Sequence, residues 1–297
     1  MKKHRFIRLF ALFVGIVLFC SQWVHAQRVP IPVQPISYNS QAVIDQLARA
    51  NVVYLGETHN KAEDHLAQLQ IIEELHRRNP NIAIGMEMFQ RPFQFYIDRF
   101  LANDMMEPIL RERTQYNKRW GFPWEYYAPI LRFAKANRLP VLALNAPTEI
   151  IRKVARSGLE SLSSTEQQFY IPPLSDIRTD NQAYRQLMQE IYQQSHQGLG
   201  KSNNFERFFQ AQVVWDETMA DVIAKYLKDN PDFQVVVLAG QGHIVYGHGI
   251  PSRVARRLGD ANIVQRTVLL NPPAEMQSTN NSPIAVADFV WRTTPGQ

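Results

Sequence analysis

One short pattern occurs twice in the chain. Val52-Val53-Tyr54-Leu55 runs into Gly56-Glu57-Thr58-His59, and Val235-Val236-Val237-Leu238-Ala239 runs into Gly240-Gln241-Gly242-His243. Each is an apolar strand ending in Gly-x-x-His. Glu87 stands in Gly85-Met86-Glu87-Met88, at the end of another apolar run. In an open parallel sheet, ligands bind in the crevice beyond the carboxyl ends of the strands, so Glu57, His59, Glu87 and His243 are expected to converge there. Two carboxylates and two imidazoles suit a divalent metal ion, and suit equally an acid/base group that activates water. Taken singly, a strand-end glycine is often a tight turn, and the histidine after it is often satisfied by backbone groups. A carboxylate between Met86 and Met88 is nevertheless costly to bury without a partner, and four ionisable residues aimed at one cleft favour a site.

Further candidates surround this group. His65 lies early in the helix after the first tetrad, near enough to stand behind it. Gln212, Trp215, Asp216 and Met219 share one helical stripe by their spacing of three, four and seven. Trp and Met there read as core, while Gln212 and Asp216 on the same stripe suggest that it borders a polar pocket. His76, beside Arg77 and Arg78 at a helix end, is explained by the helix dipole; His196 reads as solvated, and His248 stands close to the crevice without an assigned role. Tyr116, Trp120, Trp124, Tyr126 and Tyr127 occur among Arg111, Arg113, Lys118 and Arg119. Packing onto the sheet is the first reading of these rings, and a platform for a flat apolar ligand with acidic groups is the other. Gly240-x-Gly242 lacks a third glycine at the required step, and no Lys-Ser/Thr phosphate loop is present, which argues against a nucleotide.

The elements that must position these residues alternate. Strands are expected at Asn51–Leu55, Ile82–Met88, Pro140–Leu144, Gln234–Ala239 and Val264–Leu270, with a last short strand near Phe289. Helices are expected after the first tetrad, with Leu66, Leu69, Ile72 and Leu75 on one side until Asn79-Pro80, and over Phe93–Asn103, Trp124–Asn137 and Ile250–Leu258. This is an α/β fold, a mostly parallel sheet flanked by helices. Residues 147–229, helical and broken by Pro172-Pro173 and Gly198-Leu199-Gly200, form a helical insert within a single domain spanning 42–297.

The chain of 297 residues is 45% apolar and 20% charged, which excludes a disordered, collagenous or polytopic membrane protein. Lys2, Lys3, Arg5 and Arg8 precede an apolar run from Leu9 to Cys20, and Val24-His25-Ala26 has the small residues of a cleavage site. Residues 1–26 therefore read as a signal peptide and 27–41 as a Pro-rich extended leader, so the protein is expected to be exported, periplasmic or at the cell surface. Loss of those four basic residues takes the formal charge from +5 to +1, leaving no footprint for nucleic acid. Cys20, the only cysteine, would leave with the signal peptide. It follows Phe19 rather than a small residue, which makes lipid anchoring through Cys20 the weaker alternative.

With these residues in view, the chain resembles the ChaN family of haem-binding uptake proteins, grouped with Tiki metalloproteases and erythromycin esterases in one superfamily. The resemblance rests on Gly56-Glu57-Thr58-His59, Gly85-Met86-Glu87-Met88-Phe89, Trp120-Gly121-Phe122-Pro123-Trp124-Glu125-Tyr126-Tyr127, Gln212 to Ala220, and Gly240-Gln241-Gly242-His243 with Gly249-Ile250-Pro251. It runs from about Ala42 to Pro272, with five separated motifs in order. It implies an α/β fold with a helical insert, and an exported haem binder for haem and iron acquisition. It also brings in membrane uptake machinery and a homodimer with haem between subunits as partner arrangements. The haem iron would be held by Tyr246, Tyr127 or His243, with His65, Gln212 and Asp216 around the cofactor. No Cys-x-x-Cys-His occurs, so such haem would be non-covalent. The paired tetrads also match the enzyme branches of the superfamily, where they carry metal binding or water activation. The alternative is therefore a hydrolase of an ester or amide, with Glu57, His59, Glu87 and His243 as catalytic residues or ligands of a divalent metal ion.

Overall fold

The computed structural model describes residues 40–195, 204–259, 263–273 and 285–293. The expected signal peptide, His196 and the Gly198-Leu199-Gly200 break lie outside the described residues, as does the leader up to residue 39. A helix begins at Ser40 (Ser40–Leu47), inside the stretch read as extended leader.

Six strands follow: β1 (Val52–Glu57), β2 (Ile82–Gln90), β3 (Val141–Asn145), β4 (Gln234–Gly240), β5 (Gln265–Leu270) and β6 (Phe289–Trp291). They form one sheet in the order β3-β2-β4-β1-β5-β6, and every pairing is parallel. Buried on both faces, β1, β2 and β4 read as near-continuous apolar runs, as central parallel strands must. Alternate residues serve opposite layers. Val53, Leu55, Val236 and Leu238 pack against helices Ala62–Arg78 and Ala128–Ala136. Val52, Tyr54, Val235 and Val237 pack against helices Phe205–Asp229 and Ile250–Leu258.

The Ala62–Arg78 helix has Glu63 and Asp64 in its first turn and His76, Arg77 and Arg78 in its last, each complementing the helix dipole. Its inward face is Asp64, His65, Ala67, Gln68, Ile71, Ile72 and Leu75. Leu66, assigned above to the apolar side, is 59% exposed, because the packed stripe runs through residues 64, 68, 71 and 75 instead. Between β3 and β4 come helices Thr148–Ser157, Ser164–Tyr170, Gln182–Ser195 and Phe205–Asp229. Ile150, Val154, Tyr184, Phe209 and Val213 give them a core of their own. A capping box of Ser163 with Glu166 starts the second of these helices. Among the described residues no helix is long and apolar enough to cross a membrane.

Candidate active site at the strand ends

The two tetrads leave neighbouring strands in register. Gly56 lies opposite Ala239 and Glu57 opposite Gly240, while β2, which carries Glu87, borders β4 on its other side. Glu57, His59, Glu87 and His243 therefore come together at the carboxyl ends of the central strands.

Their side chains form two similar units. His59 Nδ1 donates to Glu57 Oε1 at 2.7 Å. Glu57 also accepts from the Tyr127 hydroxyl on Oε1 at 2.5 Å and from Gln68 Nε2 on Oε2 at 2.6 Å. His243 Nδ1 donates to Asp216 Oδ1 at 2.5 Å, and Asp216 Oδ2 accepts from the Tyr184 hydroxyl at 2.5 Å. Gln212 places its amide 3.2 Å from the same His243 Nδ1. Each imidazole is thus anchored through Nδ1 by a buried carboxylate, which sets its orientation and leaves Nε2 for chemistry. Glu87 stands between the units, with Oε1 3.5 Å from His243 Nε2 and Oε2 accepting from the Gly240 N–H at 2.7 Å.

Gly240 is required for this approach. A β-carbon there would stand 3.0 Å from both Cε1 and Nε2 of His59, so the ring lies directly over the glycine. A tryptophan meets each imidazole edge-on, Trp120 at 4.8 Å from His59 and Trp215 at 5.0 Å from His243.

Protonation follows from these contacts. Burial alone would raise the Glu57 carboxyl, but the His59 hydrogen bond and the charges of His59 and His65 outweigh it and hold Glu57 below the usual carboxylate range. Burial works against a charged His59, yet Glu57 and Glu87 raise it above an ordinary histidine. His243 is raised against the same burial by Glu87 and Asp216. Asp64, buried beneath the loop, is pushed up to about 6 by burial; it accepts from the Thr58 N–H at 2.7 Å and from Asn271 Nδ2 at 2.7 Å.

The other candidates divide. His65 lies behind the loop, bonded to the His59 carbonyl at 3.1 Å and stacked on Tyr126. Gln212 and Asp216 are buried and both stand against His243 Nδ1. Tyr127 is fully buried with its hydroxyl committed to Glu57, and burial followed by the Glu57 charge pushes its phenol well up. That environment opposes the phenolate an iron ligand needs, so the expectation of Tyr127 as axial ligand is corrected. Tyr246 is half-buried at φ 57° with its ring 5.9 Å from His248. Of the two readings of the aromatic group, packing is the one these rings follow: Tyr116, Trp120, Trp124 and Tyr127 are buried in the core. Gln68, Tyr184 and Arg253, whose guanidinium lies over the Tyr184 ring and 4.0 Å from Asp216 Oδ2, were not anticipated. The signal for Gln68 was present, a polar residue in phase with the apolar stripe.

The four residues do not make a ready metal cage. They are committed to hydrogen bonds with one another and with Asp216, Tyr127 and Gln68, and among the described residues no group of three or more His, Cys, Asp or Glu is arranged to hold a metal ion. The neighbouring cavity, about 20 Å³, has room for one water and none for a porphyrin.

Residues 43–254 match the family described as haem-binding uptake, Tiki superfamily, ChaN. Protein RETICULATA-RELATED 5, chloroplastic, of Arabidopsis thaliana is 27% identical over 273 residues, covering 86% of this chain and 36% of that protein. The chain thus spans little more than a third of that relative. Among solved structures, the ChaN of Campylobacter jejuni with cofacially bound haem is similar at 20% identity and a TM-score of 0.64, over 86% of this chain and 91% of that one. An erythromycin esterase mutant in its open conformation is similar at 14% identity and a TM-score of 0.45, over 79% and 73%.

Proposed function

The chain belongs to the ChaN family of haem-binding uptake proteins in the Tiki superfamily, and we propose on that premise that it is an exported protein binding haem non-covalently for haem and iron acquisition. The basic start, apolar run and Val24-His25-Ala26 support export. The position of Tyr246 carries the haem reading within this chain. It is half-buried beside His248, in a left-handed conformation that costs a tyrosine energy and that recurs in ligand clamps. Its phenol suits ferric iron, whereas the Nε2 of His243 faces Glu87 at 3.5 Å and stands beside a cavity too small for a porphyrin. The Campylobacter jejuni ChaN binds haem cofacially. A cofacial arrangement calls for an open face, and favours two copies of this chain around the cofactor before transfer to membrane uptake machinery. Hemin titration of the mature protein tests this: a saturable Soret change, altered in Tyr246→Phe and unaltered in Tyr127→Phe, is expected. Absence of saturable binding overturns it.

A second reading rests on the paired imidazoles. His59 and His243, each anchored at Nδ1, approach Glu87 from two sides in a buried polar crevice, an arrangement suited to deprotonating water and protonating a leaving group. Ester or amide hydrolysis is its reaction class. A panel of simple esters, assayed with His59→Gln and His243→Gln as controls, decides it; turnover equal in the variants sinks it.

A further inference from the structure

We propose that Asn271, in the turn after β5, is a positioning residue for His59, its side-chain amide joining the end of β6 to the first Gly-x-x-His loop through Asp64. The inference rests on the hydrolytic reading, in which His59 is a reacting group, and names what holds that group from outside the crevice.

The Asn271 amide has one workable orientation. Its Oδ1 accepts from Thr293 twice, from the N–H at 2.9 Å and from Oγ1 at 3.0 Å, while its Nδ2 donates to Asp64 Oδ1 at 2.7 Å. Turned over, it would set a donor against the Thr293 N–H and an oxygen against a carboxylate. Its backbone is held as well. The Asn271 N–H donates to the Trp291 carbonyl at 2.8 Å, and the Asn271 carbonyl accepts from Lys61 Nζ at 2.8 Å. The residue stands at φ 40°, a left-handed conformation that asparagine adopts more readily than most side chains.

Asp64 carries the connection onward. It is fully buried, and its Oδ2 accepts from the Thr58 N–H at 2.7 Å. Thr58 stands between Glu57 and His59, so the place of its peptide decides where both side chains start. The Lys61 N–H closes the same turn on the Thr58 carbonyl at 2.8 Å. Burial pushes Asp64 up to about 6, so the ionised side chain is retained at a cost in stability; what it contributes is the fixed place of its two donors. The second tetrad meets β5 differently. Gln241 Nε2 donates to the Leu270 carbonyl at 2.7 Å, a backbone group, and His243 is anchored from the helical insert by Asp216. Loss of the Asn271 amide should therefore disturb His59 and spare His243.

Asn271→Gly tests this, because glycine keeps the left-handed backbone without steric cost and removes only the amide. The ring resonances of His59 and His243 are compared by NMR in the whole protein, with ester turnover measured alongside. The His59 ring is expected to shift and the His243 ring to stay, while kcat falls by up to about 100-fold with KM unchanged. Asp64→Asn, which sets an NH2 group against one of the two donors, should shift the same ring, and decides alone where Asn271→Gly does not fold. A role confined to packing would lower stability with both rings unmoved. His59 unmoved in a folded variant, or His59 and His243 displaced together, overturns the proposal. Absence of ester turnover in the unsubstituted protein overturns the hydrolytic reading instead, and the ring positions still decide this one.

Discussion

His59 lies over Gly240 with no room for a methyl group between them, a β-carbon at that position standing 3.0 Å from the ring. Gly240 has φ −58°, an ordinary value for any residue, so close approach and not backbone freedom requires the glycine. Gly240→Ala should therefore fold, at a cost of about 1–3 kcal/mol for overpacking, and displace the His59 ring that Glu57 holds at Nδ1. The His59 ring resonances report the displacement, and an unmoved ring would refute it. Hemin binding through Tyr246 should be unaffected.

Tyr184 and Asp216 join the helical insert to His243. Tyr184→Phe leaves a buried carboxylate short of a donor, which should cost about 1–3 kcal/mol in denaturant unfolding. A double-mutant cycle with Asp216→Asn should show coupling above ~0.5 kcal/mol; strict additivity would mean that the 2.5 Å contact contributes nothing.

The raised histidines set a pH dependence. For His59 and His243 the folded value exceeds the unfolded one of about 6.5, so their contribution is full below about pH 6.5 and disappears as pH rises through the higher folded values. Glu57, lowered in the fold, contributes above about 4.3 and loses that contribution as pH falls through its folded value. Thermal unfolding from pH 4 to 9 should show the variants His59→Gln and His243→Gln losing the alkaline part of this slope.

Asp64 acts in the same sense as the histidines and opposite to Glu57. Its folded value of about 6 lies above the ordinary 3.8, so the folded state binds the proton more tightly and an ionisation penalty develops as pH rises from about 4 to 6. The stability of the unsubstituted protein relative to Asp64→Asn should fall across that window by about 1–3 kcal/mol, then stay level. A pH-independent difference would show that Asp64 titrates as an exposed carboxylate.

Much of this architecture was legible because its determinants are local. Three apolar runs and the Gly-x-x-His endings located β1, β2, β4 and the crevice, and Ile250–Leu258 appears as a helix with the bounds expected. The parallel pairing of β1 to β5 follows from the alternation of strands and helices. What escaped depends on long-range docking. Tyr184 reaches Asp216 from another helix, 32 residues away in sequence, and spacing gives no hint of it. Glu107–Arg113 was missed because only Leu110 of its seven residues is buried, too little for a periodic signal. The aromatic cluster has the same composition whether its rings face inward or outward; only the Tyr127 bond to Glu57 settles the direction of that ring.

The strand order bears on how the chain acquires its structure. Both neighbours of β1, β4 and β5, come from residues after 230, so β1 has no partner until most of the chain has been made. Such non-local pairing slows folding and leaves strand edges open meanwhile. For a chain delivered N-terminus first, His59 acquires its place over Gly240 only in the last stage, and a chain truncated before β4 would expose two unpaired edges of an apolar strand to aggregation.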